Sequence, residues 1–240
     1  MIAAPSGRPA RAADPGQGEL LLAERFVSVQ GEGPLCGQRC AFVRLSRCNL
    51  ACTWCDTPET WDWRRYDPAA VTVRAGVGEV ADWVGGVGVD LLVLTGGEPL
   101  LQQPGLGALL DQVSAQVRVQ VETNGTRVPE PGLADRVDLW VVSPKLANSG
   151  MPIERRLVPA ALEALRATGR AAFKFVVSDP AVDVAEIAAL VGRYGLGPVW
   201  VMPEATTPSA VVEGTAALLE TAAEHGWNLS TRLHVLAGAR

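Results

Sequence analysis

Histidine is nearly missing from this sequence: His225 and His234 are the only two in 240 residues. A zinc site of the usual mixed Cys/His kind therefore has little to draw on. Basic runs are missing too, and the net charge is −5. That excludes a general nucleic-acid surface and leaves room only for a local basic pocket. No apolar stretch follows Arg8 and Arg11 as in a secretory leader, and the longest apolar runs, such as 91–94, are strand-sized and end in glycines. No membrane span and no membrane partner are expected, and a cytoplasmic, reducing setting is. The five cysteines are odd in number and all lie between Cys36 and Cys55, which makes a poor disulfide framework.

What is present suffices for a core without cross-links. Hydrophobic residues make up 48% of the chain and charged ones 20%. A domain of this length buries roughly 70–75% of its unfolded surface. Residues 1–18 are rich in Ala, Pro, Gly and Arg and are expected to be a disordered extension; 19–240 are expected to form one domain. Strand-like runs recur at 41–45, 91–95, 117–122, 139–143, 171–177 and 199–202, several of them continuously apolar as in strands buried on both faces. Helical periodicity occupies 75–84, 105–115, 159–168, 182–194 and 209–225. This alternation predicts an α/β fold with about six mostly parallel strands, open or forming a partial barrel. Ligands in such sheets bind at the carboxyl ends of the strands.

The cysteines carry the clearest chemistry. Cys48, Cys52 and Cys55 follow the first core strand with the spacing Cys-x-x-x-Cys-x-x-Cys. Three thiolates from one short loop can hold three irons of a cubane 4Fe–4S cluster and leave the fourth iron open, as a reactive site requires. The plainer alternative is a zinc site or inert buried thiols. Cys36 or Cys40 would then have to complete a set of four, and neither sits at a usual zinc spacing; both are left without a role. The motif resembles that of the radical S-adenosylmethionine (SAM) superfamily, in which the open iron binds the methionyl amino and carboxylate groups. Trp54 resembles the residue near the adenine there, and ordinary packing is its alternative.

Further motifs stand at strand ends. Thr95-Gly96-Gly97-Glu98 has two glycines that allow close backbone approach to a ligand, and Glu98 can accept from an ammonium group. The segment is equally a plain β-to-α turn, but beside the cysteine motif it resembles the superfamily's Gly-Gly-Glu element. Glu122-Thr123-Asn124 offers a carboxylate and an amide suited to ribose hydroxyls or an amino acid, or else a helix cap. Ser143-Pro144-Lys145 brings a cation, or a solvated loop. Lys174 sits inside an apolar strand and faces either solvent or a pocket. Upstream, Gln30, Glu32 and Arg44 lie close in sequence to the cysteine loop. An amide, a carboxylate and a guanidinium can together recognise a flat heterocycle bearing an acid, with Arg bidentate to the acid. The alternatives are a turn residue at Glu32 and a solvated strand face at Arg44.

Gln30-Gly31-Glu32-Gly33, Phe42-Val43-Arg44-Leu45, the three cysteines with Asp56-Thr57, Thr95-Gly96-Gly97, Glu122-Thr123, Ser143-Pro144-Lys145 and Arg232-Leu233-His234 together resemble the 7-carboxy-7-deazaguanine synthase family over about 21–235. The resemblance implies a carbon–nitrogen lyase that converts 6-carboxy-5,6,7,8-tetrahydropterin to 7-carboxy-7-deazaguanine with loss of ammonia, by hydrogen abstraction and ring contraction. It implies a 4Fe–4S cluster, SAM and magnesium, with Thr57 as the magnesium ligand. SAM would be held by Trp54, Gly97, Glu122, Asn124, Ser143, Pro144 and Lys145. The pterin would be held by Val29, Gln30, Gly31, Glu32, Arg44, Thr95 and His234. A homodimer and an external one-electron reductant of flavodoxin or ferredoxin type are implied as well. Two rival readings are a glycyl-radical activating enzyme, which does not need the Gln30–Glu32–Arg44 set, and a non-catalytic iron–sulfur or zinc protein. One departure is Arg47, where the family pattern leads us to expect a small residue, often glycine, before the first cysteine.

Overall fold

A computed structural model describes residues 15–239. The expected extension over 1–18 lies, as far as residue 14, outside the described residues. The described residues contribute nine strands to one sheet: β1 (Glu19–Val29), β2 (Arg39–Leu45), β3 (Val73–Gly76), β4 (Leu91–Gly96), β5 (Arg118–Thr123), β6 (Leu139–Val142), β7 (Ala171–Val177), β8 (Val199–Pro203) and β9 (Asn228–Leu229), in the order β3-β1-β2-β4-β5-β6-β7-β8-β9. The six strands read from the sequence are β2 and β4 to β8. They are consecutive in the sheet, and each runs parallel to the next. The sheet stays open, since β3 and β9 are its two edges.

Three strands were not expected. β1 and β3 pair antiparallel with β2 and β1, and β9 adds two residues beside β8. β1 carries Glu24, Arg25 and Ser28 among its apolar residues and is only partly buried, so it lacks the apolar run that marks the central strands. The helix expected over 75–84 begins two residues late. Residues 73–76 extend as an edge strand, and the helix is Val77–Gly86, with Gly76 as its cap. The helix expected over 105–115 is Gln103–Leu110 and stops before a turn at Ser114.

The remaining long helices follow their local signals. Pro180–Tyr194 starts with Pro after Asp179, whose carboxylate accepts from Ala181 N at 3.0 Å, and ends at Gly195 with φ 62°. Pro208–Glu224 is capped by Thr207 in the same way.

The period-2 alternation of the strands separates two faces. Ala41, Val43 and Leu45 of β2, Leu92 and Leu94 of β4, Trp140 and Val142 of β6, and Phe173 and Phe175 of β7 turn outward into the main core beneath the helices. Each buried Val, Leu or Phe among them stabilises the fold by roughly 1.5–3 kcal/mol. The intervening residues face inward. Cys40, Phe42, Leu91 and Val93 form a small apolar floor. Above it, towards the carboxyl ends, the inward residues turn polar: Arg44, Thr95, Glu122 and Lys174.

A cavity joining three cysteines to a buried ion network

The inward residues and the loops after the parallel strands enclose one cavity. Every site residue expected from the sequence lines it except Glu98, which lies beneath the turn, and Pro144, which is buried behind the turn it shapes. The β2–β4 register puts Arg44 beside Thr95, and the β5–β6 register puts Glu122 beside Val141. Thr95 Oγ1 donates to Glu122 Oε2 at 2.8 Å, so one polar row crosses the sheet.

The cysteine loop forms one wall. Cys48, Cys52 and Cys55 all face the cavity and pack around Leu50 and Met151. Their sulfurs meet N–H donors. Leu50 N lies 3.4 Å from Cys48 Sγ, and Trp61 Nε1 donates to Cys55 Sγ at 3.3 Å. Such donors stabilise a metal-bound thiolate. Burial raises the thiol of Cys48 to about 12. Burial also raises Cys52, against the opposing charge of Lys145. Thiols held protonated in this way surrender their protons to a bound metal. Among the described residues, no three His, Cys, Asp or Glu side chains converge on a single ion-sized point. A closed zinc tetrahedron does need such a point, whereas each thiolate of a cubane takes a different iron. The donor set therefore fits a cluster.

The loop is held from behind. Arg47 is the one non-glycine residue described with positive φ, 77°. This accounts for the expectation of a small residue there: glycine takes such a backbone freely and arginine does so only under strain. The Gly-Gly turn presses against the same segment. Gly97 N donates to Leu45 O, and Glu98 N donates to Arg47 O. Side chains built at Gly96 and Gly97 would lie 2.1 Å from Leu45 O and 2.0 Å from Arg47 O. Asn124 bonds the loop through Asn49 at 3.0 Å.

Glu98 corrects an expectation. It is fully buried and does not line the cavity. Its carboxylate accepts from Leu100 N, Thr123 Oγ1 and Asn124 N. It therefore fixes the turn to β5 and offers nothing to an ammonium group.

Trp54 stands over the cavity with Lys145 Nζ 5.2 Å from its ring centroid. Its indole N–H donates to Asn148, whose amide in turn donates to Asp183 at 2.8 Å. Lys145 Nζ also donates to Ser143 Oγ at 2.9 Å.

On the opposite wall, Gln30 is buried. Its amide donates to Glu122 at 3.0 Å and accepts from Glu32 N at 3.1 Å. Arg44 Nε donates to Glu24 at 2.8 Å across β1 and β2. Glu32 accepts from Lys174 Nζ and from Arg232 Nε, the latter at 3.0 Å, with His234 Nε2 3.8 Å away. Burial pushes the Glu32 carboxyl up, but Lys174 and Arg232 outweigh it and hold it at about 2. Burial lowers His234, against the pull of Glu32.

Lys174, Arg232, Asp56, Trp61 and Asn148 were not read as site residues. Lys174 had a usable signal: a lysine in a fully buried strand must point at a partner. The others come from loops whose convergence no spacing encodes.

Residues 43–139 match the sequence profile of the Radical SAM superfamily. Fold, cysteine loop and profile define a radical SAM protein, a class that carries a 4Fe–4S cluster and SAM. The 7-carboxy-7-deazaguanine synthase of Hyperthermus butylicus is 37% identical, over 90% of this chain and 92% of its own length. That of Pyrobaculum aerophilum is 39% identical, over 89% and 92%. The chain belongs to the 7-carboxy-7-deazaguanine synthase family. The crystal structure of QueE from Escherichia coli shares the fold, with a TM-score of 0.67, 24% identity and coverage of 88% of this chain and 93% of that one.

Proposed function

We propose that this protein is a carbon–nitrogen lyase that converts 6-carboxy-5,6,7,8-tetrahydropterin to 7-carboxy-7-deazaguanine with release of ammonia. One observation carries the reading: a single cavity holds the cysteine loop on one wall and the Gln30–Glu32–Arg44 set on the other. A protein-activating relative would not need that second wall.

Cys48, Cys52 and Cys55 would hold the 4Fe–4S cluster. Reduced and bound to SAM, such a cluster would supply a 5′-deoxyadenosyl radical for hydrogen abstraction at carbon 6 of the pterin. Trp54, its indole N–H held by Asn148, offers a flat, oriented ring suited to adenine with Lys145 beside it, and Gly97 lines the cavity for the methionyl end. Ser143 and Asn124 line the same side. Glu122 reaches both sets, since it orients Gln30 and Thr95 of the pterin wall.

The ionised Glu32 is suited to accept ring N–H groups, because Lys174 and Arg232 keep it charged without water. Arg44, with Nε committed to Glu24, turns its remaining guanidinium N–H groups to the pterin carboxylate. Val29 and Gly31 border the ring, and His234 closes the pocket. Thr57, two residues after Cys55, lies at the cavity and would be the protein ligand of a magnesium ion otherwise held by substrate and water. The reductant would be a small flavodoxin- or ferredoxin-type protein, and the chain would act as a homodimer. No described helix is long and apolar enough to cross a membrane.

The test is anaerobic incubation of the reduced, reconstituted protein with the carboxytetrahydropterin, magnesium and SAM, followed by mass identification of the product. 7-Carboxy-7-deazaguanine supports the reading, and its absence while 5′-deoxyadenosine forms removes it. Cys52→Ala should abolish both products. A variant that keeps its cluster and activity would overturn the ligand assignment.

A further inference from the structure

The sheet is open, and its two sides meet through side chains. Loops after β1 and β2 carry Glu32 and Asp56, while the chain after β8 and β9 carries Ala205 and Arg232. Arg232 reaches all of them: Nε donates to Glu32 Oε1 at 3.0 Å, Nη1 donates to Ala205 O at 2.7 Å, and Nη2 donates to Asp56 Oδ2. Ser230 Oγ and Leu233 N support the same crossing by bonding Gly33 N at 2.8 Å and Gly31 O at 2.9 Å.

We infer that Arg232 is a positioning residue that sets the cluster loop against the substrate wall. The inference rests on the function proposed above. Its two carboxylate partners belong to different machinery. Glu32 stands in the pterin wall, and Asp56 lies between Cys55 and Thr57. The Arg232 side chain is 8% exposed, so its charge is committed to these partners rather than to water. The guanidinium is planar and rigid, so holding Nε on one carboxylate and Nη2 on the other fixes the separation of the two loops. Lysine has a single ammonium on a flexible stem and cannot do this. Asp56 is 54% exposed, so packing does not hold it in place and the ion pair does. Hydrogen abstraction depends on the distance between radical and substrate carbon, and a misplacement of about 1 Å costs on the order of a hundredfold in such reactions.

The experiment compares wild-type holoenzyme with Arg232→Lys and Asp56→Asn, using SAM and the carboxytetrahydropterin. Asp56→Asn is the variant that keeps the fold, because it alters only the half-exposed end of the bridge. Three quantities are read: the pterin dissociation constant of the unreduced protein, the 5′-deoxyadenosine released per deazaguanine formed, and the change that pterin causes in the spin-resonance spectrum of the reduced cluster. In Asp56→Asn the dissociation constant should stay within about threefold of wild type, while deoxyadenosine per deazaguanine rises roughly tenfold, as expected of a small displacement. The spectral response to pterin should weaken. Arg232→Lys should show the same uncoupling, with weaker binding added through Glu32. A purely structural role would lower the yield of folded protein and leave the ratio unchanged. An unchanged ratio in both variants overturns the inference and leaves the proposed function standing. A wild-type protein that makes no deazaguanine removes the function itself, and the inference with it.

Discussion

The hydroxyl of Thr123 donates to Glu98 Oε1 across 2.8 Å and ties the tip of β5 to the turn after β4. Leu100 N gives Glu98 Oε1 a second donor, and Asn124 N donates to Oε2. Both carboxylate oxygens therefore act only as acceptors. Glu98→Gln must turn an NH2 group towards a donor whichever way the amide is placed. We expect Glu98→Gln and Glu98→Ala each to lose about 2–4 kcal/mol of stability, the range for charged hydrogen bonds broken in a buried site. Urea denaturation of the apo-protein measures this. A glutamine variant as stable as wild type would show that Glu98 does not hold the turn.

Gly97 should not tolerate a side chain. A Cβ there would meet Arg47 O at 2.0 Å, Arg47 C at 2.4 Å and Cys48 N at 2.9 Å, all of them backbone atoms. No rotamer change relieves such a clash, so the cysteine loop itself must move. Gly97→Ala is expected to cost about 3 kcal/mol or more. It should also lower the iron and sulfide content after reconstitution, which colorimetric assay would record. Full cluster loading in this variant would contradict the packing described.

The central sheet was legible in the sequence because strands buried on both faces cannot hide. Phe173 and Phe175 on one face and Val176 on the other make β7 an apolar run, and β2, β4, β6 and β8 read similarly, while β5 alternates Val119 and Val121 with Gln120 and Glu122. β1 was not legible, since it places Glu24 on its cavity face and Arg25 on its helix face, and the two charges erase the apolar pattern. The cysteines and the Gln30–Glu32–Arg44 set were legible because each is compact in sequence. Arg232 and Asp56 are 176 residues apart and meet only through the fold. Glu98 was misread for a related reason. Its place after two glycines suggests exposure to a ligand, and only the packing of Thr123 and Asn124 shows that its oxygens are already taken.

Glu32 should leave a mark on acid stability. Its carboxyl has an ordinary value of 4.5, and Lys174 and Arg232 override the effect of burial to hold it at about 2 in the fold. A carboxyl lowered by folding contributes stability that is fully present above pH 4.5 and is lost as the pH falls from there towards 2. Glu32→Gln should remove that contribution, so stability falls less steeply between pH 4.5 and 3. The variant should also be less stable at pH 7, by about 3–5 kcal/mol, because buried Lys174 loses its ion-pair partner and Arg232 loses one of two. Denaturation midpoints across this pH range would test both statements. Parallel acid limbs for the two proteins would show that Glu32 titrates normally.

Gly31 should control His234. A Cβ at Gly31 would lie 2.2 Å from His234 Nδ1 and 2.9 Å from its Cγ, a clash with a side chain that can swing away. Gly31→Ala should therefore cost little stability, about 1 kcal/mol. It should push His234 out of the cavity and weaken pterin binding. His234→Ala should weaken binding to a similar degree, and the double variant should add little, as expected for two changes acting on one contact. Fully additive losses in calorimetric binding would show that the two positions act separately.

Arg44 is expected to matter for pterin affinity more than for SAM cleavage. Its Nε is held by Glu24 at 2.8 Å, and its guanidinium lies over Phe26, 6.0 Å from the ring centroid, so the group is oriented before substrate arrives. Removing one side of a buried, charge-assisted contact costs about 2–5 kcal/mol in binding. Arg44→Ala should therefore weaken pterin binding by at least roughly thirtyfold, which corresponds to the low end of that range. Formation of 5′-deoxyadenosine without pterin should remain within about threefold of wild type, because Arg44 makes no described bond to the cysteine loop. Glu24→Gln keeps a neutral acceptor for Nε and should show a smaller loss of affinity of the same kind. Paired measurements of pterin affinity and of deoxyadenosine formed without pterin decide the matter. An equal loss of both in Arg44→Ala would make Arg44 a part of the scaffold rather than of the pterin wall.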